Sequence, residues 1–305
     1  MPLNKPLSIF VKPQVDLSQY MRPSPPRSWM AIATTWLGIF LTLSLTRWIN
    51  HYLLIIPALL LVGAMQHRFF TIYHEAFHCT LFSNRQLNDW AGKWLAAYPS
   101  LVAYESARKR HLAHHAFATT AEDPERVSHI QDWRTMLSLM FPWPGLAWSV
   151  LSEFGLVAKH GVAAPEGRQS WDSVEQTKKG EIVYILLLQT ALLALLLGLF
   201  GMWSGLYYVA FFAVSPFFTQ VRQWGEHYGK AHGQQADPRY VHISPNFIER
   251  FFFSPMNFNY HAAHHLYPRV PYIHLPAVQR LIEKEAIAVI QRTGYIRLFL
   301  KEIVW

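Results

Sequence analysis

The densest chemistry in this 305-residue chain is His261-Ala262-Ala263-His264-His265, three imidazoles in five residues. On a helix, positions i, i+3 and i+4 share a face, so all three rings are expected to converge on one point. The same spacing stands at His111-Leu112-Ala113-His114-His115. A third cluster, His74-Glu75-Ala76-Phe77-His78, sets two histidines at i and i+4. Together the clusters hold eight of the chain's 16 histidines. Neutral imidazole is the commonest metal ligand and suits iron, zinc, copper and nickel. A structural zinc takes four ligands and a catalytic one three plus water. Eight imidazoles therefore fit two metals, each with positions open to a small molecule. A histidine-rich surface arising by chance is a poor explanation for HxxHH twice and HxxxH once.

The first cluster also reads as HExxH, the zinc-peptidase pattern. Glu75 would then be the base of a membrane-embedded zinc hydrolase. That reading needs one more ligand and leaves most of the other six histidines unexplained. The same segment contains ExxH, part of the soluble di-iron carboxylate pattern, but the sequence has no second ExxH to complete it.

Which elements must position these residues follows from composition. Hydrophobic residues make up 51% of the chain and charged residues only 15%, against roughly 25% in soluble proteins. The single cysteine, Cys79, excludes an intrachain disulfide framework and a thiolate-held cluster. The net charge of +8 is spread along the chain with no nucleic-acid motif. Anionic lipid head groups or an acidic redox partner suit it better.

Four stretches read as membrane spans, at about 28–46, 52–73, 182–200 and 203–220. The first is free of charge and covers about 28 Å as a helix, enough for a bilayer core. The second runs on into His74 and His78. The third is the most apolar, and Pro216 is expected to kink the fourth. The spans pair into two tight hairpins. The turn at 47–51 carries only Arg47 and the turn at 201–202 no basic residue, while the other Lys and Arg, Arg68 apart, fall on the side of the histidines. The positive-inside rule then puts the histidine clusters and both termini in the cytoplasm.

Residues 1–27 hold Pro2, Pro6, Pro13, Pro23, Pro25 and Pro26 and no apolar segment. They read as a cytosolic arm rather than a signal peptide, ahead of one integral-membrane domain over 28–305. Leu95 to Tyr104 and Met136 to Val157 read as interfacial or buried segments. Ala163 to Gly180 and Gly225 to Pro245 read as polar stretches, and Ala277 to Arg292 as an amphipathic C-terminal helix started by Pro276.

HEAFH, HLAHH and HAAHH, in this order around two hairpins, resemble the membrane fatty acid desaturase and hydroxylase superfamily. The resemblance covers about Tyr52 to Leu281. Asp123-Pro124 after the second cluster strengthens it. So do Leu266-Tyr267-Pro268, Val270-Pro271-Tyr272 and Leu275-Pro276 after the third. Both features are similar to the fatty acid desaturase branch and to its carotenoid-oxidising relatives.

The resemblance implies an all-α membrane protein, four spans under a cytosolic helical cap that holds two non-haem irons. It implies O₂ as co-substrate and removal of hydrogen from an unactivated C–H bond of a lipid acyl chain. Loss of a second hydrogen gives a double bond, as in fatty acid desaturation; oxygen insertion gives an alcohol. Two electrons per turnover come from outside. The chain has no His-Pro-Gly-Gly, GxGxxG or CxxC, so the donor is a separate protein of ferredoxin or cytochrome b5 type.

The family adds a histidine after the fourth span, and His227 matches it. The implied ligands are His74, His78, His111, His114, His115, His227, His261, His264 and His265. Glu75, Asp123, Glu226 and Asn257 are candidate partners for a ligand's other ring nitrogen. His67, His129, His160, His232, His242 and His274 read as ordinary polar or interfacial residues, and Trp94, Trp148 and Trp224 as packing aromatics. The alternatives are hydroxylation or ketolation of another lipid such as a carotenoid, a zinc hydrolase built on HEAFH, and a metal carrier. A carrier should place polar ligands inside its spans, and these spans have almost none.

Overall fold

The computed structural model describes residues 16–118, 123–124, 179–227, 230–231, 234–235, 240–284 and 289–300. Helix α1 (Pro25–Ile49) starts on two prolines, tolerated there because the first helical N–H groups have no partner to lose. It ends at Asn50, whose left-handed backbone (φ 52°) brings its N–H to the Thr46 carbonyl. A short turn, Tyr52–Leu54, leads into α2 (Ile55–Phe77). Thr35, Thr42 and Thr46 donate their hydroxyls to the carbonyl four residues back, so these three hydroxyls are satisfied within α1.

A second helical run begins with α5 (Lys179–Phe200), after α3 (Arg85–Gly92) and α4 (Tyr104–Phe117). It breaks at Gly201, whose φ of +56° favours glycine. It resumes as α6 (Gly205–Val209), a π-helical turn (Ala210–Val214) and α7 (Ser215–His227). The π turn packs on α2 where Gly63 faces Val214: a Cβ on Gly63 would lie 2.6 Å from Val214 Cγ1. Pro216 follows this wide turn directly, so the missing N–H falls where the helical ladder is already irregular. The expected kink is thus a π turn ahead of the proline.

Three helical runs, Ser18–Ile49, Tyr52–Phe77 and Gly180–His227, are long and apolar enough to cross a membrane. Their outer faces expose Leu37, Leu41, Leu45, Leu186, Leu193 and Leu197, as lipid contact requires. Arg47 bonds the Leu199 carbonyl, and Trp203 Nε1 donates to Asn50 Oδ1 at 3.2 Å. The turn between α1 and α2 therefore lies beside the turn after α5.

The chain is mostly helical, but it is not purely α. Lys230–Ala231 (β1) pairs antiparallel with Gln234–Gln235 (β2), and Val241–Ser244 (β3) pairs in parallel with Ile290–Thr293 (β4). The single C-terminal helix expected over Ala277 to Arg292 is accordingly shorter. Helix α10 (Leu275–Lys284) follows α8 (Phe247–Phe253) and α9 (His261–Leu266), and Ile290 to Arg292 belong to β4. Pairing with the fully buried Val241 and Ile243 overrides the helical pattern there. The last helix is α11 (Tyr295–Phe299).

Lys93–Ala97 is a π-helical turn and Tyr98–Ser100 a 3₁₀ turn, with Ala96, Ala97 and Tyr98 buried, rather than a span. Met136 to Val157 and Ala163 to Lys178 lie outside the described residues, except that Lys179 and Gly180 already belong to α5. Residues just before and at the start of α1 reach the segment after the third histidine cluster. Tyr272 Oη donates to the Arg27 carbonyl (3.2 Å), His274 Nε2 donates to the Arg22 carbonyl (3.3 Å), and Tyr20 packs edge-on to His274.

Candidate metal centre

Four helices deliver the histidines. His74 sits in the last turn of α2 and His78 at its C-cap, after which Cys79 (φ 58°) reverses the chain. Asn88 on α3 holds this reversal: its Nδ2 donates to the Ala76 carbonyl, and its Oδ1 accepts from the Leu81 and Phe82 N–H groups. Gly92 lets α3 and α4 close on it, since a Cβ there would sit 2.4 Å from the Ala76 Cβ. Helix α4 carries His111, His114 and His115, α9 carries His261, His264 and His265, and His227 is the last residue of α7.

The nine rings fall into three close sets, the last two joined at His227 into a single second group. Ring nitrogens of His74, His78, His111, His115 and His264 lie within 4.8 Å of one another. Those of His114, His227 and His265 do the same, and so do Glu226, His227 and His261. The three rings of an HxxHH cluster therefore do not meet at one point. In both clusters i and i+4 share a group and i+3 goes to the other. At about 100° per residue, i+3 falls some 60° to one side of i and i+4 about 40° to the other. Each cluster thus straddles the two groups.

The first group has the spacing of a metal shell. His78 Nε2 and His111 Nε2 are 3.0 Å apart, as are His111 and His115, and His115 and His264. With metal–nitrogen bonds of about 2.1 Å, ligand nitrogens at right angles stand about 3.0 Å apart. Hydrogen bonding alone does not account for this chain. Each neutral Nε2 has either one proton or one lone pair, and two of these four atoms face two neighbours. The outer nitrogens are also telling. His74 Nδ1, His115 Nδ1, His265 Nδ1 and both nitrogens of His261 are buried without a hydrogen-bond partner. A cation among the lone pairs is what such a donor set fits. Burial first, and then neighbouring imidazoles and cations, hold His78, His115, His261, His264 and His265 well below the ordinary histidine range. They are neutral at pH 7 and able to ligate.

The second group is edged by carboxylates. Asp123 takes His114 Nδ1 at 2.8 and 2.9 Å. Glu226, fully buried, pairs with Arg222, accepts from Tyr295 Oη at 3.0 Å and lies 3.4 Å from His261 Nδ1. Two of the four candidate partner residues thus stand beside a group histidine. The other two join the backbone around the site. Glu75 Oε2 accepts from Thr80 Oγ1 (2.7 Å) and from the Tyr272 N–H (3.0 Å). Asn257 Nδ2 donates to the Tyr272 carbonyl (3.1 Å). Glu75 therefore ties the first cluster to the chain just after the third.

A cavity of about 400 Å³ opens on both groups, with Phe70, Phe258, Pro124 and Arg222 in its wall. The Arg222 guanidinium lies between the Phe70 and Phe258 rings, 4.6 Å from each centroid. Sequence reasoning missed Arg222 and Tyr295. The signal for Arg222 was present, since an arginine four residues before a glutamate at the end of an apolar span is costly without a purpose. Tyr295 had no local signal.

Of the remaining histidines, His67 is fully buried rather than interfacial, with Nε2 on the Phe253 carbonyl (3.0 Å) and Nδ1 against Thr219 Oγ1 (2.9 Å). His242 is buried and packs on Tyr260. Trp224 is core, and Trp94 packs on Tyr98 and Tyr184. His129, His160, His232 and Trp148 lie outside the described residues. The sequence model of the family described as "Fatty acid desaturase" matches residues 50–289. No curated protein matches the chain.

Proposed function

Because the chain belongs to the fatty acid desaturase family, we propose that it inserts a double bond into a lipid acyl chain, using O₂ and two irons held by its nine grouped histidines. The observation that carries the reading is the division of those histidines into two adjoining groups opening on one cavity. His74, His78, His111, His115 and His264 would hold one iron, and His114, His227, His261 and His265 the other. Bound iron would supply reduction of O₂ and removal of hydrogen from an unactivated C–H bond.

The chain's own residues do the rest. Phe70, Phe258 and Pro124 supply the apolar part of the cavity wall, beside Arg110, Arg222 and Gln223. Asp123 orients His114 through its Nδ1 and raises its basicity as a ligand, and Glu226 sets a carboxylate 3.4 Å from His261 Nδ1. In the overall reaction a –CH₂–CH₂– unit loses two hydrogen atoms, that is, two protons and two electrons. O₂ takes these, two more electrons and two protons, and leaves as two waters. The extra electrons come from a separate donor of ferredoxin or cytochrome b5 type, and the basic net charge suits an acidic one.

The protein is a membrane protein, and we read its third apolar run as two crossings. As one straight helix, 48 residues would cover about 72 Å, more than twice a bilayer core. The break at Gly201 and the contacts of Arg47 and Trp203 favour two hairpins with adjacent turns. Both termini are then cytosolic, residues 1–27 form an arm, and 28–305 form one domain. A reporter fused after Trp305 and active only outside the cell would overturn this.

The zinc-hydrolase reading finds less support, because the Glu75 carboxylate that should activate water is engaged by Thr80 and Tyr272. Expression with a matched reductant, followed by mass spectrometry of host lipids, tests the reaction. A new carbon–carbon double bond is expected. A new hydroxyl or keto group would replace desaturation by that chemistry, and released head groups or fatty acids would return the hydrolase.

A further inference from the structure

Two short helices near the C-terminal end turn apolar side chains outward. On α8, Phe247 (85% exposed), Ile248 (61%) and Phe251 (37%) cover one side, while Phe252 and Phe253 pack inward on Phe217 and Phe218 of α7. On α11 and the residue after it, Ile296 (45%) and Leu300 (48%) point outward, while Phe299 packs on Phe217 and Tyr295 on Phe253. The two first turns meet at Glu249, which accepts from the Asn246 N–H through one oxygen and the Ile296 N–H through the other. One buried carboxylate therefore holds the five apolar groups on a common platform.

The height of this platform is fixed by its neighbours. The Phe253 carbonyl takes the His67 Nε2 proton beside Thr219, and the inward rings pack at 217–218. His67 is seven residues before His74 and Thr219 eight before His227, which places the platform about 10–12 Å along the spans from the metal centre. These neighbours belong to the apolar runs Tyr52–Phe77 and Gly180–His227. The exposed side chains thus continue the lipid-facing surface of those runs. Arg250 and Arg297 are exposed on the same two helices, where long basic side chains reach head-group phosphates from an apolar face.

We propose that α8 and α11 form a membrane-seating platform, their apolar side chains inserted at the head-group and acyl boundary of the leaflet nearest the metal centre, with Arg250 and Arg297 on anionic head groups. The proposal rests on the membrane reading and is independent of the metal chemistry. It means that the cap is fastened to the bilayer by its C-terminal part as well as by its spans. The cavity is thereby held at a fixed height above the acyl chains.

The test uses the full chain in nanodiscs of phosphatidylcholine and phosphatidylglycerol. Spin labels are placed singly by Phe247→Cys, Ile248→Cys and Ile296→Cys, with Leu197→Cys as the lipid reference and Lys284→Cys as the water reference. The unsubstituted protein, labelled at Cys79, supplies the background. Oxygen contact should exceed contact with a water-soluble nickel complex at 247, 248 and 296, as at 197, with the reverse at 284. Nickel-dominated contact at 247 and 296 while 197 remains lipid-like would overturn the platform. Nickel-dominated contact at 197 itself would instead overturn the membrane reading. Replacing phosphatidylglycerol by phosphatidylcholine should shift 247 and 296 toward water, and no shift would remove the role given to Arg250 and Arg297.

Discussion

The two histidine groups are built differently although the same helices feed both. The first is five imidazoles whose nitrogens touch chiefly one another, and the outer nitrogens of His74 and His115 have no partner. The second has fewer rings at each close grouping but is edged by Asp123 and by Glu226 with its Arg222 and Tyr295 bonds. A carboxylate on the far nitrogen makes an imidazole more basic and fixes its orientation. One position is therefore held by ligand number, the other by oriented ligands. Two metals placed in them should therefore differ in environment.

Removing a ring should break the pair most completely. His111→Ala, His264→Ala and His265→Ala should each abolish lipid oxidation while the protein still inserts. Metal analysis should separate them. His265→Ala leaves three rings at the second position and should lose that metal, whereas His264→Ala leaves four at the first and should retain it more weakly. Equal metal loss in both variants would remove the distinction drawn between the groups.

Removing a carboxylate should sharpen the comparison with a smaller effect. Asp123→Asn should weaken metal at the second position by about 10–100-fold and leave the first unchanged. Titration of metal into the purified variant measures this, and equal weakening at both positions would contradict the assignment.

Acid should act on both groups. Their buried imidazoles have depressed values in the fold, whereas an unfolded histidine titrates near about 6.5. Below that pH the unfolded chain binds more protons, so stability is fully present above it and is lost as pH falls toward the folded values. Thermal unfolding of metal-free protein from pH 8 down to 5 should show a falling midpoint. The fall should be smaller in His78→Ala, provided that variant is referenced to its own midpoint at pH 8.

Glu75→Gln should have the smallest effect. Its bonds go to Thr80 and Tyr272 rather than to a ring, so the loss should be about 1–3 kcal/mol of stability with two irons retained. Loss of iron in Glu75→Gln would make Glu75 a ligand.

Much of this was legible in the sequence. The apolar runs announce themselves by length, and HxxxH and HxxHH mark the histidine-bearing helix ends because a helix repeats locally. The division of each HxxHH between two groups was not legible, since spacing fixes angles about one helix but not where facing helices stand. The β3–β4 pair was hidden because parallel pairing joins Val241 to Ile290 across a long connection with no local pattern. Glu226 stood next to His227 in the sequence, yet its bond to Tyr295 spans 69 positions. The outward face of α8 was lost within the phenylalanine run 251–253, where inward and outward rings look alike until the packing is known.

The most direct test of the central claim is the metal content and Mössbauer spectrum of the full-length protein, purified from cells grown on iron-57. The account predicts two irons per chain and two doublets of equal area, one for each histidine group, with Asp123→Asn perturbing only one. One zinc per chain, or a single iron, would contradict it.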